Sequence, residues 1–478
     1  MLNLGVVLEA LNKLPSLQGN PAVMASVITE AHVDSRKAIP GSMFVALPGE
    51  RVDGHNFVGD AFNRGAMFAL VQREMGSQFT TLDLRPGQDP AVFSPDKLEG
   101  PICLRVPDSL QALQTIAGFW RRKLKLKVIG ITGSVGKSTT KEVVAEVLSQ
   151  RYYTLKSSGN LNNEIGLPLM LLSLSEGHER AVLEMGFYVL GEITFLCNLA
   201  LPEIAVINNI GTVHAARAGD QATIAQGKGE LVEALPETGV AILNYDDPLV
   251  VPMASRTKAQ VIYYGLDPAA DVWADEVEGL GLEGIRFRLN YRGDAIHIRV
   301  PMIGRHSVQT ALRAAAVGLA DGLTWQEIVD GLRSSTTQLR LMAVRASSGA
   351  LILDDTYNAS PESMLAALNL LDELEGRKIA VLGDMLELGQ YEWIGHEKVG
   401  IRAAQVANLL VTVGERGRMI AAAAARAGLA GSLITELEST DQAAEYLKTR
   451  LGPNDVVLIK GSRGMRMERL VSKLETIR

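Results

Sequence analysis

Cysteine is scarce in this sequence, because 478 residues contain only Cys103 and Cys197. Two cysteines cannot build a disulfide framework, and neither lies near histidines at the spacing of a zinc site. Both observations favour a protein of the reducing cytoplasm. We therefore expect no structural disulfide.

Excess positive charge is also absent, since 47 Lys and Arg residues and 54 Asp and Glu residues leave a formal charge of −7. A protein that coats nucleic acid or binds membranes through a basic patch needs the opposite balance. We therefore expect no nucleic-acid partner.

Long apolar runs are missing as well. No uncharged stretch approaches the roughly 18 residues that a membrane span requires. Residues 1–14 are apolar but include Glu9 and Lys13 and lack a basic leader, which argues against a signal peptide. We expect no membrane span.

The length predicts several domains, because 478 residues at roughly 150 per domain give about three. Short apolar strands from Val27 to Val71, interrupted by turn-rich stretches, predict a small N-terminal α/β domain over residues 1–106. The Pro- and Gly-rich segment Arg85–Pro107 reads as a linker or loop, and an amphipathic helix follows at Ser109–Lys123.

Strands and helices alternate over residues 107–335, which predicts a central, doubly wound, mostly parallel sheet. Period-two alternation within Asp271–Pro301 predicts an antiparallel excursion, and helices are predicted at Thr139–Gln150 and Ser307–Leu319. The predicted strands are Lys127–Thr132, Ala181–Met185, Ile204–Asn208, Val240–Asn244 and Gln260–Tyr264.

The alternation restarts after about residue 336 and predicts a C-terminal Rossmann-like domain over residues 336–478. Helices are predicted at Ser363–Leu374 and Met419–Ala427. The predicted strands are Ala350–Leu353, Lys378–Leu382, Leu409–Val413, Ser432–Thr435 and Val456–Ile459.

The most specific motif is a phosphate loop, T-G-x-x-G-K-S, between a predicted strand and a predicted helix. Glycines let backbone N–H groups face a phosphate, Lys137 supplies a point charge, and the Ser138 hydroxyl can ligate Mg²⁺. The stricter G-x-x-x-x-G-K-[ST] spacing fails because Ile131 occupies the first glycine position. The nucleotide-binding residues predicted from the loop are Gly133, Ser134, Val135, Gly136, Lys137, Ser138 and Thr139.

The alternative is a glycine-rich turn with a chance lysine, but a strand before and a helix after are the context that the nucleotide motif requires. A switch GTPase is disfavoured because no Asp is followed by Gly three residues later. Glu184, His214 and Lys228 lie just beyond strands or on a helix near the edge where open α/β sheets bind ligands. Each is a weak signal alone, since such residues are more often structural or solvated.

Further motifs occur along nearly the whole chain: Asp34–Arg36, Pro40–Leu47, Asp53–His55, Gly159–Pro168, Leu353–Ala359, Gly383–Gly389 and Lys460–Arg463. With the phosphate loop and in this order, they resemble the Mur ligases, ATP-dependent amide-forming enzymes of peptidoglycan synthesis. The two motifs that begin at Leu353 and Gly383 favour the member that adds D-alanyl-D-alanine. The Asp-Asn-Pro-Arg signature of the relative that adds diaminopimelate or lysine is absent.

The resemblance implies a ligase that joins D-alanyl-D-alanine to UDP-MurNAc-tripeptide through an acyl phosphate. It implies that residues 1–106 bind the UDP substrate, residues 107–335 bind ATP and residues 336–478 bind the dipeptide. We expect a cytoplasmic monomer that uses these small-molecule substrates.

The resemblance also implies roles for single residues. Lys137 would hold the β- and γ-phosphates, and Arg340 and Asp355 would close onto ATP. Two Mg²⁺ ions are implied, one on Ser138 and Glu184 and the other on His214 and a carbamylated Lys228. The implied catalytic residues are Lys137, Glu184, His214 and Lys228, and the implied substrate residues are Ser35, Arg36, Asn160, Asn162, Asn163, Tyr357, Asn358 and Ser360.

The sequence departs from the family pattern at four places. Ser307 and Thr310 replace two asparagines that meet the nucleotide base, and Phe187–Leu190 follow the Mg²⁺ glutamate in place of Asn-His or Arg-Pro. Ala215–Ala216 replace Leu-Glu, and Gln338–Leu339 replace Pro-Gly. Drift within the lineage and altered substrate contacts are both open as explanations.

Two alternatives remain open. A related Mur ligase or a folylpolyglutamate synthase-like ligase would perform the same chemistry on a different acceptor. A non-catalytic P-loop regulator would bind ATP without turnover. The joint retention of Lys137, Ser138, Glu184, His214 and Lys228 argues against the regulator, which has no need of a second Mg²⁺ site.

Overall fold

The computed structural model describes residues 1–12, 24–49, 52–88, 100–212, 215–334 and 342–475. The chain forms two compact units. Unit 1 comprises residues 1–130, 152–186 and 192–203, and unit 2 comprises residues 131–151, 187–191 and 204–478. Within the described ranges, no helix combines the length and the apolar character needed to cross a membrane.

Unit 1 contains a five-stranded parallel sheet. Its strands are short, as the turn-rich pattern predicts. The strands are β1 (Ala31–His32), β2 (Met43–Val45), β3 (Phe68–Val71), β4 (Thr80–Asp83) and β5 (Ile102–Arg105), in the order β1-β2-β3-β5-β4. The accompanying helices are α1 (Leu4–Ala10), α2 (Val58–Asn63) and α3 (Ser109–Lys123).

The interpretation of Arg85–Pro107 as a linker or loop is wrong for its last part. Ile102, Cys103 and Leu104 are buried in β5, which lies between β3 and β4. This strand is only four residues long and is preceded and followed by prolines, so turn-forming residues mask its apolar signal. Residues 89–99 of the segment lie outside the described residues.

The central sheet has nine strands, in the order β14-β13-β12-β11-β10-β9-β6-β8-β7. Strands β9, β10 and β11 pair in parallel, and β12, β13 and β14 form the predicted antiparallel excursion. The strands are β6 (Lys127–Thr132), β7 (Thr154–Lys156), β8 (Arg180–Glu184), β9 (Ile204–Ile207), β10 (Val240–Asn244), β11 (Gln260–Gly265), β12 (Val272–Gly279), β13 (Ile285–Tyr291) and β14 (Asp294–Val300).

Seven helices within the described residues accompany these strands. They are α4 (Lys137–Leu148), α5 (Gly166–Leu172), α6 (Glu192–Ala200), α7 (Ala215–Ala218), α8 (Gln221–Glu233), α9 (Val308–Ala320) and α10 (Trp325–Ser334).

The C-terminal sheet has six strands in the order β15-β16-β20-β17-β18-β19, with only β15 antiparallel among them. The strands are β15 (Met342–Arg345), β16 (Leu351–Asp355), β17 (Arg377–Gly383), β18 (Leu409–Val413), β19 (Ile434–Leu437) and β20 (Asp455–Lys460). The helices are α11 (Pro361–Glu373), α12 (Glu392–Val406), α13 (Gly417–Arg426), α14 (Thr440–Lys448) and α15 (Glu468–Leu474).

Both faces of this sheet are buried. Leu353 and Leu382 pack into one apolar cluster with α11, α12 and α13, whereas Ile352 and Val381 pack into another with α14 and α15. A strand with two buried faces needs a continuous apolar run, which is the pattern that predicts this domain. The predicted α/β class, with parallel strands in all three sheets, is confirmed.

Both cysteines are free and buried. Burial raises the pKa of the Cys103 thiol to about 12. At neutral pH this thiol stays protonated and has little nucleophilic character.

Candidate active site

The phosphate loop joins the end of β6 to the start of α4. Gly133 and Gly136 have φ angles of +153° and +80°, and a Cβ at Gly133 would lie 2.6 Å from the Cβ of Asn208. Gly136 is the N-cap residue of α4 and has no side chain that could cap the first-turn N–H groups. Ser138 and Thr139 lie in that first turn. The loop therefore has the shape and the helix end that an anion requires.

Two asparagines after β9 hold the loop in this shape. The N–H groups of Ser134 and Val135 donate to the backbone carbonyl and to Oδ1 of Asn209, at 3.0 and 2.9 Å. The Val135 carbonyl accepts from Nδ2 of Asn208 at 3.1 Å and from Nδ2 of Asn209 at 3.2 Å. The sequence prediction ends a strand here but gives neither asparagine a role. Two consecutive amides at the end of a parallel strand are the signal that could have identified them.

The ammonium groups of two predicted site residues meet at one carbonyl of the loop. Lys137 Nζ donates to the Gly133 carbonyl at 2.8 Å, and Lys228 Nζ donates to the same oxygen at 3.0 Å. Lys228 lies on α8 and is 2% exposed, which is unusual for a lysine. Two ammonium groups therefore converge on the loop, and positive charge at this position suits an anionic ligand.

Phe187, one of the departures from the family pattern, packs against the helix that carries Lys228. A Cβ at Gly227 would lie 1.9 Å from Cε2 of Phe187, and Lys228 Nζ lies 5.4 Å from the centre of the ring. A side chain at position 227 would therefore require this ring to move, and the ring borders the Lys228 side chain.

Glu184 ends β8 in unit 1 and is 3% exposed. Its Oε1 accepts from Asn162 Nδ2 at 2.9 Å, and its N–H donates to Ser157 Oγ at 3.1 Å. An oriented carboxylate of this kind suits a hard cation such as Mg²⁺.

The other two asparagines of the Gly159–Pro168 motif shape the backbone around Asn162. Oδ1 of Asn163 accepts from the Gly166 N–H at 2.9 Å at the start of α5. Asn160 is exposed, and its carbonyl accepts from the N–H of Asn162 at 2.9 Å. The motif thus presents Asn162 to Glu184.

The candidate UDP-substrate residues lie in a short 3₁₀ turn, Ser35–Lys37. Ser35 is buried, whereas Arg36 is exposed and pairs with Asp34 at 2.7 Å. Hydrogen bonds from Arg36 lower the pKa of Asp34 to about 2, so this acid stays ionised at neutral pH.

The Asp53–His55 motif contains a buried histidine with a partner at each ring nitrogen. Nε2 of the buried His55 accepts from the Gln72 N–H at 2.9 Å, so its proton is on Nδ1, which lies 2.6 Å from Oδ1 of Asp53. These contacts connect the Asp53–His55 turn to the end of β3.

Two C-terminal motifs that are far apart in sequence meet at the ends of β16 and β20. Lys460 Nζ donates to Oδ2 of Asp355 at 2.7 Å and to the Asn358 carbonyl at 2.9 Å, and Lys460 is 2% exposed. The Arg463 N–H donates to Oδ1 of Asn358 at 3.4 Å, and the Arg463 guanidinium lies 5.4 Å from the ring centre of the exposed Tyr357. Polar groups therefore gather around Asn358.

Three hydroxyl groups at predicted positions have protein partners. Ser360 Oγ accepts from the Ser363 N–H at 3.3 Å and caps α11. Ser307 Oγ donates to the Ile303 carbonyl at 2.7 Å. Thr310 Oγ1 accepts from an Arg313 nitrogen at 3.4 Å. These contacts orient the start of α11 and of α9.

His214, Arg340, Gln338–Leu339 and the predicted boundary near residue 336 lie outside the described residues. Among the residues that the structure describes, no three His, Cys, Asp or Glu side chains are placed to hold a metal ion. Mg²⁺ is usually held by one or two carboxylates together with nucleotide phosphates, so it needs no cage of this kind.

All three sheets match domains of one family. Residues 131–318 match the Mur ligase middle domain, residues 339–463 match the Mur ligase glutamate ligase domain, and residues 27–91 match the catalytic domain of the Mur ligase family. The chain is 36% identical over 459 residues to UDP-N-acetylmuramoyl-tripeptide–D-alanyl-D-alanine ligase of Bacillus subtilis strain 168, an alignment that covers 95% of each chain.

Two solved structures are similar along most of the chain. The crystal structure of MurF from Acinetobacter baumannii is 32% identical, has a TM-score of 0.82, and covers 99% of this chain and 98% of its own. MurF ligase from Thermotoga maritima, solved in complex with ADP, is 27% identical and has a TM-score of 0.77. The match covers 93% of this chain and 96% of that structure's chain.

Proposed function

The chain belongs to the Mur ligase family, and we propose that it joins D-alanyl-D-alanine to UDP-N-acetylmuramoyl-tripeptide with cleavage of ATP to ADP and phosphate. The observation that carries the proposal is the phosphate loop on which Lys137 and Lys228 converge. It stands in a chain similar over 95% of its length to a ligase with that name. The reaction belongs to peptidoglycan precursor synthesis.

ATP binds at the phosphate loop in this proposal. The first-turn N–H groups of α4 face the phosphates, and Lys137 exchanges its contact with the Gly133 carbonyl for the β- and γ-phosphates. Asp355 and Arg340 close onto the nucleotide from the C-terminal domain. The ADP in the Thermotoga maritima relative supports this assignment.

Ser138 and Glu184 would hold one Mg²⁺, and His214 and Lys228 would hold a second. Reaction of the Lys228 side chain with CO₂ would form an N–C bond and release the two protons that the ammonium loses, and the resulting carbamate would replace a cation by the oxygen ligand that Mg²⁺ prefers. It also removes one of the two positive charges at the Gly133 carbonyl. When bound, the ions neutralise charge on the transferring phosphoryl group.

The chemistry has two steps. A terminal carboxylate oxygen of the tripeptide attacks the γ-phosphorus, and the bond to the bridging oxygen of ADP breaks. The amine of D-alanyl-D-alanine then attacks the acyl carbon, phosphate leaves and the nitrogen loses a proton. Lys137 and the loop N–H groups stabilise the charge of the first step, so catalysis is mainly positioning and electrostatics.

Each substrate has its own domain in this proposal. Residues 1–106 bind the UDP substrate through Ser35 and Arg36, residues 107–335 bind ATP, and residues 336–478 bind the dipeptide. Domain closure excludes water from the acyl phosphate. The protein works as a monomer in the cytoplasm, where its nucleotide substrates are found. The remaining substrate residues are Asn160, Asn162, Asn163, Tyr357, Asn358 and Ser360.

The test is phosphate release with UDP-tripeptides that carry lysine or diaminopimelate as the third residue. We expect release only when ATP, one of these tripeptides and D-alanyl-D-alanine are present together. Release with a single amino acid or a folate acceptor instead would favour a related ligase. ATP binding without release under any of these conditions would favour a regulator.

A further inference from the structure

Arg313 is a buried cation beside the phosphate loop that the proposed mechanism does not use. It lies on α9 and is 5% exposed. Its Nε donates to the Tyr264 hydroxyl at 2.8 Å, and its Nη1 donates to Oγ1 of Thr140 at 2.7 Å and of Thr310 at 3.4 Å. Among the described residues, no carboxylate pairs with this guanidinium.

The partners of Arg313 belong to the elements that hold the loop. Thr140 follows the first turn of α4, and the Tyr264 hydroxyl donates to the carbonyls of Ile207 and Asn208 at 3.1 Å each. Burial raises the pKa of Tyr264 to about 12, so its hydroxyl keeps the proton that it donates. Arg313 therefore links the start of α4 to the end of β9, from which Asn208 contacts the loop.

The guanidinium also lies against the loop itself. A Cβ at Gly136 would be 3.5 Å from Nη1 of Arg313. A buried charge without a carboxylate partner is costly, and the Arg313 guanidinium lies at the loop that Lys137 and Lys228 also contact. A polyanion bound at the phosphate loop is the ligand class that would offset the charge of this guanidinium.

We propose that Arg313 is a positioning residue for ATP: it holds α4 near its start, through Thr140, and adds a positive charge beside the phosphate loop. The inference rests on ATP use in the proposed function. It predicts that Arg313 contributes to polyphosphate affinity and not to binding of the dipeptide or the UDP substrate.

The test compares Arg313→Gln with Arg313→Lys in the full chain. Calorimetric titration with ATP and with inorganic tripolyphosphate gives Kd, and phosphate release gives KM for each substrate. We expect Arg313→Gln to weaken binding of both polyphosphates about tenfold and to raise KM for ATP alone. We expect Kd and KM for ATP of Arg313→Lys to stay within about threefold of the wild-type values. Lysine keeps the positive charge, and the small loss reflects the missing fork of donors.

Arg121 offers a matched control. It is also 5% exposed, and it donates to the carbonyls of Ala200, Leu124 and Leu126. We expect Arg121→Gln to lower the melting temperature without a change in KM for ATP. If Arg313→Gln does not fold, Tyr264→Phe and Thr140→Val each remove one partner of Arg313, and each should raise KM for ATP about threefold.

The proposal is overturned if Arg313→Gln binds ATP and tripolyphosphate as the wild type does, or if Arg313→Lys is as weak as Arg313→Gln. If Arg313→Gln does not fold, the proposal is overturned when Tyr264→Phe and Thr140→Val both keep the wild-type KM for ATP. A wild-type chain that binds ATP but joins no substrates refutes the proposed function and leaves the Arg313 titrations interpretable.

Discussion

Lys137 and Lys228 donate to a single oxygen, the carbonyl of Gly133, at 2.8 and 3.0 Å. The first lysine comes from the start of α4 and the second from α8, so the fold brings two like charges together. Their repulsion falls when a phosphate lies beside them or when one lysine becomes a carbamate. In the proposed mechanism Lys137 contacts the phosphates and Lys228 forms the carbamate, so substitution of each lysine should have a different effect.

Lys137→Met removes the charge that contacts the β- and γ-phosphates in the proposed mechanism. We expect ADP release that depends on both substrates to fall about 100- to 1000-fold, as for loss of one transition-state contact. Lys258→Met is the control, because Lys258 is 82% exposed and pairs only with Glu237 among the described residues. Coupled ADP assays measure both variants, and full activity in Lys137→Met would exclude the assignment.

Lys228→Arg keeps a positive charge but cannot form the carbamate. We expect its activity to fall about 100-fold or more, as for loss of a catalytic charge contact. The wild type should lose activity in CO₂-depleted buffer and regain it with bicarbonate, whereas the variant should not respond. A ¹³C resonance from labelled bicarbonate should appear in the wild type alone. Wild-type activity that is independent of CO₂, with no such resonance, would contradict carbamylation.

Gly133→Ala tests the shape of the loop. The new Cβ would lie 2.6 Å from the Cβ of Asn208, an atom next to the backbone that cannot rotate away. We expect ATP affinity to fall at least about tenfold, because the loop must move to relieve the clash. Isothermal titration with ATP measures this effect.

Gly293→Ala is the control for backbone strain in that experiment. Gly293 also has a positive φ, +88°, but nothing lies within 4 Å of its added Cβ. We expect it to lose about 1 kcal/mol of stability or less and to bind ATP normally. Equal ATP affinity in the two alanine variants would show that the contact with Asn208 does not shape the site.

Much of the fold could be predicted from local pattern. The strands Val240–Asn244 and Leu409–Val413 and the helix Ser109–Lys123 have their predicted bounds. Each has a strong signal, namely a continuous apolar run for a strand buried on both faces or an amphipathic repeat for a helix. The short β5 lacks such a signal, and its burial depends on pairing with β3 and β4.

Parts of the candidate site could not be predicted in this way. The phosphate loop has a local motif, but the contact of Arg313 with Tyr264 depends on the packing of α9 beside β11. The same is true of Asn208 and Asn209, which reach the loop because β9 is the neighbour of β6. Strand order is a property of the whole chain, so no window of sequence contains these contacts.

His396 is a fully buried residue on α12 that contacts the Gly383–Gly389 motif. Its Nε2 accepts from the Met385 N–H at 3.1 Å, and its Nδ1 therefore carries the proton and donates to the Glu392 carbonyl at 2.7 Å. Burial lowers the pKa of His396 below its ordinary value of 6.5. The unfolded chain then binds a proton near pH 6.5 that the folded chain resists, so the free energy of unfolding falls as the pH drops below this value.

His396→Gln keeps a hydrogen-bond acceptor but cannot titrate. We expect the variant to be about 1 kcal/mol less stable than the wild type near pH 7.5, because glutamine cannot reproduce the hydrogen-bond geometry of the imidazole ring. Between about pH 7.5 and about pH 5.5, its free energy of unfolding should decrease less than that of the wild type. Urea unfolding at both pH values measures the difference.

His297→Gln is the control, at a histidine whose side chain is 65% exposed. Its free energy of unfolding should decrease with pH as that of the wild type does. If His396→Gln shows the same decrease, protonation of His396 is not what destabilises the folded chain in acid.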